Sequence, residues 1–307
     1  MGFNLYLAGG DAVPLELTKE DNVGILTTFA DGPKTVKKFI DKRHCKAFCD
    51  SGAYGAAHSG KVINLDQYIE FINDTPECEV FAVLDVIPWS DAGYMDGGAK
   101  QLSADETWKN YVYMLERVKP EYRDKLVCAY HYGETEEALQ RIISGIDGYK
   151  PKYIAFGGRA GTHTKDLYSF FDNKFWKWIE RSATPDIKIH AFGVTVFEML
   201  ERYPWYSADS TTWLRTGIAG NIHSRYCKGS VVNISNQRSG HLNHISNSPK
   251  KDLIIEEIES RGFTLEQLAE DYKARNLWNC MYYKDWADNF TFVPKAKVRK
   301  KSLSGKF

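Results

Sequence analysis

Three aspartates stand where short apolar runs end, and their residue type and placement suit them to chemistry. Asp50 follows KAFC, Asp85 follows FAVL, and Asp209 lies within WYSADSTTW. A carboxylate buried at such a point is costly unless it is paired, hydrogen-bonded or functional. Each of the three is alternatively a helix N-cap. Two carboxylates facing one substrate suit glycosyl transfer, in which one attacks the anomeric carbon and the other handles protons.

Glycines and aromatic residues accompany the carboxylates at the ends of other runs. Gly157 and Gly158 follow YIAF, where they either let backbone amides approach a flat ligand or form a tight turn. Tyr54 and Phe192 either stack on the two faces of an aromatic ring or belong to the core. The other polar residues at run ends include His131, Tyr132 and Arg159.

A rhythm of apolar runs and amphipathic stretches must position these residues. Near-continuous apolar strands separated by helices indicate parallel βαβ units. About eight such strands predict an α/β protein with a single (β/α)8 barrel, and a doubly wound open sheet is the alternative. In a barrel, functional groups lie at the carboxyl ends of the strands. The predicted strands are 3–10, 46–54, 79–88, 126–134, 153–161, 187–195, 205–213 and 230–235. The predicted helices between them are 65–73, 103–118, 134–144, 165–181 and 195–202.

The pattern changes after residue 250. We expect 1–250 to form the barrel and 251–307 to form a helical extension, with a basic tail, that packs on it. Residues 251–275 predict two helices broken by Gly262, with Thr264 as the second N-cap. The tail KAKVRKKSLSGK is rich in Lys and Arg and has no carboxylate, so it is either a solvated segment or an arm that contacts phosphates.

Composition excludes several classes of protein. The chain has 307 residues, of which 40 are basic and 40 acidic, and its formal net charge is zero. A neutral chain does not suit non-specific coating of nucleic acid. No apolar run approaches the ~18 residues that a spanning helix needs, so we expect no membrane association. Six cysteines without a CxxC are too few for a disulfide framework and indicate a reduced, cytoplasmic protein.

Several segments resemble one known family in a shared order. DSGAY at 50–54 resembles the DSGG(F/Y) signature of the tRNA-guanine transglycosylases. FAVLD resembles the segment whose aspartate reads the guanine edge in that family. AFGGRAG is similar to its GGLAVGE, AFGVT to its MGVG, and YSADSTTWLRTG to the segment around its nucleophilic aspartate. The resemblance covers roughly residues 46–217.

The departures from the family pattern point to one branch of the superfamily. The family's glutamine on the fourth strand is missing, and either His131 or Tyr132 replaces it. Its CxCxxC zinc motif is also absent. A structural zinc is therefore not supported by the cysteine motif, although some His and Cys residues have the spacing of ligand pairs; these are His223, Cys227, His241 and His244. Such departures resemble the DNA-directed enzymes of bacteriophages and bacterial DNA-modification islands, which replace guanine in DNA with a 7-deazaguanine.

The resemblance implies a pentosyltransferase that exchanges bases without a cofactor. It makes Asp209 the nucleophile and Asp50 the general acid and base. The base-binding residues that it implies are Asp85, Gly157, Gly158, Arg159, Tyr54, Phe192 and either His131 or Tyr132. The candidate contacts to the nucleic-acid backbone are Arg215, Lys300 and Lys301.

The expected partners follow from the same resemblance. They are DNA and a free base such as 7-cyano-7-deazaguanine or a derivative, with a homodimer possible. The expected compartment is the cytoplasm, which is the host's if a phage encodes the protein. Three alternatives stay open: exchange on tRNA, hydrolytic removal of a base, and a non-catalytic barrel that binds nucleic acid or a partner protein.

Overall fold

The chain forms a closed (β/α)8 barrel, as the alternation of strands and helices predicts. The computed structural model describes residues 3–14, 17, 23–43, 45–90, 93–94, 98–157, 163–194, 196–227, 229–290 and 292. Within these ranges, eight parallel strands each pair with the next along the chain, and the eighth closes on the first. The strands are β1 (Asn4–Ala8), β2 (Val23–Thr28), β3 (Ala47–Asp50), β4 (Val80–Ala82), β5 (Leu126–His131), β6 (Tyr153–Gly157), β7 (Lys188–Phe192) and β8 (Ser207–Ser210).

Helices follow most strands and cover the outside of the barrel. They are α1 (Pro33–Arg43), α2 (Ala53–His58), α3 (Leu65–Asn73), α4 (Gly98–Arg117), α5 (Glu136–Ser144), α6 (Thr164–Asn173), α7 (Phe197–Arg202) and α8 (Thr212–Ile218). The helix predicted over 65–73 coincides with α3. The one predicted over 103–118 begins earlier, at Gly98, and the one over 165–181 changes to a π-helix at Lys174–Ile179.

Strand alternation sorts the buried residues into two layers. Phe48, Val127 and Ala155 belong to a cluster inside the barrel. Their chain neighbours, such as Cys49 and Cys128, pack outward against the helices. Since side chains on a strand alternate between its faces, residues two or four positions beyond the interior ones also point inward, at the carboxyl ends of the strands.

One predicted strand forms outside the barrel, and one barrel strand was not predicted. Residues 231–233 within the predicted strand 230–235 lie outside the barrel, in an antiparallel hairpin formed by β9 (Asn221–His223) and β10 (Val231–Asn233). The place in the barrel belongs to β2. This strand is interrupted by Gly24, which weakens its sequence signal. A Cβ at Gly24 would lie 2.7 Å from the Lys46 carbonyl oxygen, so the close approach of β3 requires glycine there.

A second group of helices follows the hairpin. The prediction of two helices after residue 250 is confirmed by α9 (Lys251–Ser260) and α10 (Leu265–Glu270), and Thr264 caps α10 by accepting a 3.0 Å hydrogen bond from the Gln267 amide. A longer helix, α11 (Tyr272–Asp288), was not predicted and packs along α8. Hairpin residues share a buried cluster with these helices. The domain boundary at 250 stays a prediction.

In the described part of the chain, no helix combines the length and the apolar character needed to cross a membrane.

Candidate active site

The three aspartates meet at the carboxyl end of the barrel. Asp50 is the last residue of β3, Asp209 lies in β8, and Asp85 follows β4 by three residues. Asp50 is two positions beyond the interior Phe48, so alternation turns its side chain inward. The charges of Asp85 and Asp209 both act on Asp50. The barrel therefore brings residues from distant parts of the sequence to one mouth.

The carboxyl group of Asp50 has a pKa that is raised toward neutrality. Burial raises the pKa of Asp50 to about 6, and the negative charges of Asp209 and Asp85 act in the same direction. Hydrogen bonds from the backbone amides of Gly52 and Ser51 act in the opposite direction. A carboxyl group with this pKa holds a proton part of the time near pH 6 to 7, as a general acid and base must.

The turn after Asp50 requires glycine. Gly52 has a φ of +84°, in the left-handed region that side chains disfavour. A Cβ there would lie 2.4 Å from Thr28 Oγ1 and 2.5 Å from the Ala30 Cβ. Glycine at position 52 is thus needed to turn the chain tightly from β3 into α2.

Asp85 is held by three hydrogen-bond donors. Its Oδ1 accepts from Thr107 Oγ1 at 2.7 Å and from the Val86 amide at 3.1 Å. Its Oδ2 lies 3.1 Å from His131 Nε2, while His131 Nδ1 lies 3.0 Å from Glu134 Oε1. A carboxylate has about four acceptor positions, so roughly one is left for a ligand.

His131 carries a positive charge at neutral pH. Burial by itself lowers the pKa of His131, but the carboxylates of Asp85 and Glu134 outweigh it and raise the pKa to about 9. The positive charge of Lys100 acts with burial. Lys100 is itself buried, and its ammonium group donates to the Tyr132 carbonyl at 2.6 Å. The Asp85 charge is therefore largely balanced by its own neighbour.

Asp209 is fixed through one of its oxygens. The Gly193 amide donates to Oδ1 at 3.3 Å, and His190 Nε2 lies 3.3 Å from the same oxygen. His190 Nδ1 is 2.6 Å from Ser207 Oγ, which is hydrogen-bonded to the Tyr153 hydroxyl. In the described structure these contacts all fall on Oδ1, which leaves Oδ2 for a substrate.

His190 is neutral, in contrast to His131. It is fully buried among aromatic rings, with the Phe192 ring centroid at 4.5 Å and that of Phe48 at 4.6 Å. Burial lowers the pKa of His190, and the nearby Asp209 carboxylate only partly offsets this. The mouth thus has a charged histidine beside Asp85 and a neutral one beside Asp209.

The structure places His131 and Tyr132 in different surroundings. His131 lies on the inner face of β5 and contacts Asp85. Tyr132 turns away, and its ring packs 5.3 Å from Phe170 and 5.4 Å from the Lys100 ammonium. His131 is therefore the residue that reaches the site.

The other predicted site residues are spread more widely. Phe192 is partly buried at the mouth, in a T-shaped contact with Phe48 at 5.5 Å. Tyr54 is half-exposed on α2, and its hydroxyl lies 3.2 Å from His58 Nε2. Arg215 is exposed on α8. Four predicted residues fall outside the described ranges, namely Gly158, Arg159, Lys300 and Lys301.

Gly157 ends β6 directly beside His131. The two residues are paired across β5 and β6, and a Cβ at Gly157 would lie 2.4 Å from His131 Cδ2. Glycine at this position gives the imidazole room to lie between its two carboxylates.

The described structure gives two of the suggested zinc ligands other partners. Among the described residues, no group of three or more His, Cys, Asp or Glu side chains could hold a metal ion. His223 instead stacks on Tyr282 at 5.2 Å, and burial lowers its pKa to about 4. His244 Nδ1 is bonded to Ser246 Oγ at 2.7 Å.

Several site residues were given no role from the sequence; they are Lys100, Thr107, Glu134, Tyr153, His190 and Ser207. Two short spacings were available as signals. His190 and Ser207 each precede a predicted site residue, Phe192 or Asp209, by two positions, which places them one step deeper on the same strand face. His131 and Glu134 are three residues apart across a turn.

Two comparisons with known proteins found no match. No protein-family model matches the chain, and no curated protein matches it at a significant level.

Proposed function

We propose that this protein is a transglycosylase that exchanges guanine in DNA for a 7-deazaguanine through a covalent aspartyl intermediate. The observation that carries the proposal is the pair Asp50 and Asp209 at one barrel mouth, each in a different environment. Asp209 has one oxygen held and one open, and the pKa of Asp50 is raised to about 6. Such a division between two carboxyl groups suits nucleophilic glycosyl transfer.

In the first half-reaction, Asp209 Oδ2 attacks C1′ of the target nucleotide. A C1′–O bond forms as the C1′–N9 bond breaks, and the electron pair leaves with guanine. Protonated Asp50 gives its proton to the departing base. Because His190 is neutral, it forms no ion pair with Asp209. The negative charge of Asp209 therefore stays available for the attack.

In the second half-reaction, the Asp50 carboxylate takes the N9 proton of the incoming base. N9 attacks C1′, and the ester bond to Asp209 breaks with its electron pair returning to the carboxylate. The number of glycosidic bonds is unchanged, so no energy source is needed. Asp85, braced by Thr107 and His131, offers its remaining acceptor position to an N–H on the base edge.

DNA is the favoured polymer because two segments, HAFG at 190–193 and SADSTTW at 207–213, resemble the DNA-directed branch more than the tRNA enzymes. The target base must leave the stack to reach the mouth, which costs a few kcal/mol on a duplex and less on single strands. Arg215 is exposed on the helix that follows Asp209 and is a candidate phosphate contact.

The test is base exchange with defined substrates. Purified protein is incubated with radiolabelled guanine or 7-cyano-7-deazaguanine and with single-stranded DNA, duplex DNA or tRNA, and the digested nucleosides are identified. We expect label in the deoxynucleoside fraction, together with a protein–DNA adduct that survives denaturing electrophoresis. Label in tRNA alone would identify the tRNA-directed alternative, and base release without incorporation would indicate a hydrolase.

Two matched variants test the role of Asp209. Asp209→Asn should lose both adduct and exchange. Asp186→Asn makes the same change at an exposed residue just before β7, at the opposite end of the barrel, and should retain both. An adduct formed by Asp209→Asn at the wild-type level would exclude Asp209 as the nucleophile.

A further inference from the structure

A chain of hydrogen-bonding side chains runs from the barrel interior to Asp209. It begins at the Tyr153 hydroxyl on β6, passes through Ser207 Oγ on β8, and reaches His190 Nδ1 on β7 at 2.6 Å. The far side of the imidazole, Nε2, lies 3.3 Å from Asp209 Oδ1. Three neighbouring strands thus each contribute to one path.

The series of hydrogen-bonding side chains is buried along its length and ends at Asp209. Tyr153, His190 and Ser207 are all at most 5% exposed, whereas Asp209 faces the mouth. The rings around His190 belong to Tyr6, Phe48, Tyr153 and Phe192, so Asp209 is the charged group that faces it in the described structure. A buried polar path of this kind is costly unless each donor meets an acceptor.

Chemistry fixes the direction of every bond in the chain. An ionised Asp209 can only accept, so Nε2 must carry the imidazole proton. A neutral imidazole has one N–H, so Nδ1 must accept from the Ser207 hydroxyl. The Ser207 oxygen then accepts from Tyr153, whose pKa is raised by burial so that it keeps its proton. All three donors point toward the mouth.

The last contact is the one that a reaction would tighten. His190 Nε2 is fully buried and has no well-aligned hydrogen-bond partner, although Asp209 Oδ1 is within 3.3 Å. Contacts of catalytic groups are often long before substrate binds and shorten in the complex. A small rotation of the Asp209 carboxylate would align this N–H with Oδ1.

We propose that Tyr153, Ser207 and His190 are positioning residues that act in series to hold Asp209 by Oδ1 and present Oδ2 to the sugar. This inference rests on the proposed function, because it assigns Asp209 the attack. The chain supplies a neutral donor, which fixes the carboxylate without cancelling its charge. The same donor stabilises the carboxylate when it is released from the ester in the second half-reaction.

The first test needs no substrate. Protein labelled with ¹⁵N-histidine is examined by two-dimensional NMR at pH 7, and the His190 signals are assigned by their loss in His190→Gln. We expect a protonated Nε2 and an unprotonated Nδ1. Ser207→Ala should alter the Nδ1 signal by removing its donor. A protonated Nδ1, on a neutral or a charged ring, would overturn the proposal.

The second test measures base exchange. His190→Phe should lower kcat about 10- to 100-fold, the worth of one hydrogen bond to a charged group, with the KM for free base little changed. His190→Gln keeps an N–H near the Nε2 position and should recover part of the loss. Equal kcat values in wild type, His190→Phe and His190→Gln would overturn the proposal.

The two tests separate this inference from the proposed function. If wild-type protein exchanges no base, the proposed function fails, and the tautomer of His190 decides whether the chain donates to Asp209. If exchange proceeds through Asp209 while His190 has the opposite tautomer, the function stands and the chain has no positioning role.

Discussion

At the scale of single residues, Asp50 and Asp209 differ because their neighbours differ. Asp209 lies beside a chain of neutral donors, whereas Asp50 is partly buried and is affected by the negative charges of Asp209 and Asp85. Burial and like charge both disfavour an ionised Asp50. The property that suits Asp50 to proton transfer must therefore reduce the stability of the folded protein at neutral pH.

Asp50→Asn tests this cost. The pKa of Asp50 rises from an ordinary 3.8 to about 6, so the native state binds more protons than the unfolded state between these pH values. Stability from this group is lost as pH rises through that window, and the cost at pH 8 is about 1–3 kcal/mol. We expect Asp50→Asn to unfold at a higher temperature than wild type at pH 8, with the gain shrinking toward pH 4, and to lose base exchange.

Thermal unfolding at pH 4 and pH 8 measures the effect, with Asp186→Asn as the exposed control. An equal gain at both pH values would indicate that the change in stability comes from packing and not from the charge of Asp50. A loss of stability at pH 8 would contradict the prediction outright.

At the scale of the elements, the barrel makes part of the site predictable. Parallel strands that close on one another bring all their carboxyl ends to one mouth, so the sequence positions of Asp50, Asp85 and Asp209 sufficed to place them together. The choice between His131 and Tyr132 also follows from alternation, because His131 has the same parity as the interior Val127.

The contacts between strands were not predictable in this way. His190 meets Ser207 because β7 and β8 pair with these two residues directly opposite each other. Such a register depends on the lengths of the connections and on packing, which the strand sequences do not specify. Strand β2 was not predicted for a related reason. The glycine at position 24 is required by the close approach of β3, and this requirement cannot be read from the sequence of β2 alone.

Gly157→Ala tests how an element end positions a site residue. The new Cβ would lie 2.4 Å from Cδ2 and 3.0 Å from Nε2 of His131, so the imidazole must move away from Asp85. The His131 pKa, about 9 in the native protein, should then fall. A raised histidine pKa adds stability that is complete below about 6.5 and is lost as pH rises through 9. We expect a loss of about 1–3 kcal/mol at pH 6 and a smaller one at pH 9.5.

Denaturant unfolding at the two pH values measures the difference. Gly55→Ala on α2 is the matched control, because a Cβ at that position meets nothing within 4 Å and its φ is not positive. A loss of stability by Gly157→Ala that does not depend on pH would show that the residue makes room for backbone packing alone.

At the scale of the whole molecule, helix α11 packs against the helix that follows the strand of Asp209. Asp209 lies in β8, α8 follows it, and α11 packs along α8. Phe3, just before β1, also contacts α11 through an edge-to-face pair with Trp286 at 5.0 Å. Helix α11 therefore supports the seam where β8 closes on β1, close to Asp209.

Arg275 on α11 is the residue that tests this support. It is buried, and it donates to the Gly217 carbonyl of α8 at 2.7 Å and to the Leu268 and Ala269 carbonyls of α10 at 2.7 and 3.1 Å. Arg275→Met keeps much of the side-chain volume but leaves these carbonyls without their donor. Because an unsatisfied buried group costs about 1–3 kcal/mol, we expect a loss of about 2–4 kcal/mol in the free energy of unfolding.

Denaturant unfolding followed by tryptophan fluorescence measures this loss, with Arg238→Met as the exposed control. If the barrel depends on this contact, one cooperative transition should shift as a whole. An early transition that leaves the remaining signal at its wild-type midpoint would mean that the C-terminal helices unfold independently and do not brace the seam beside Asp209.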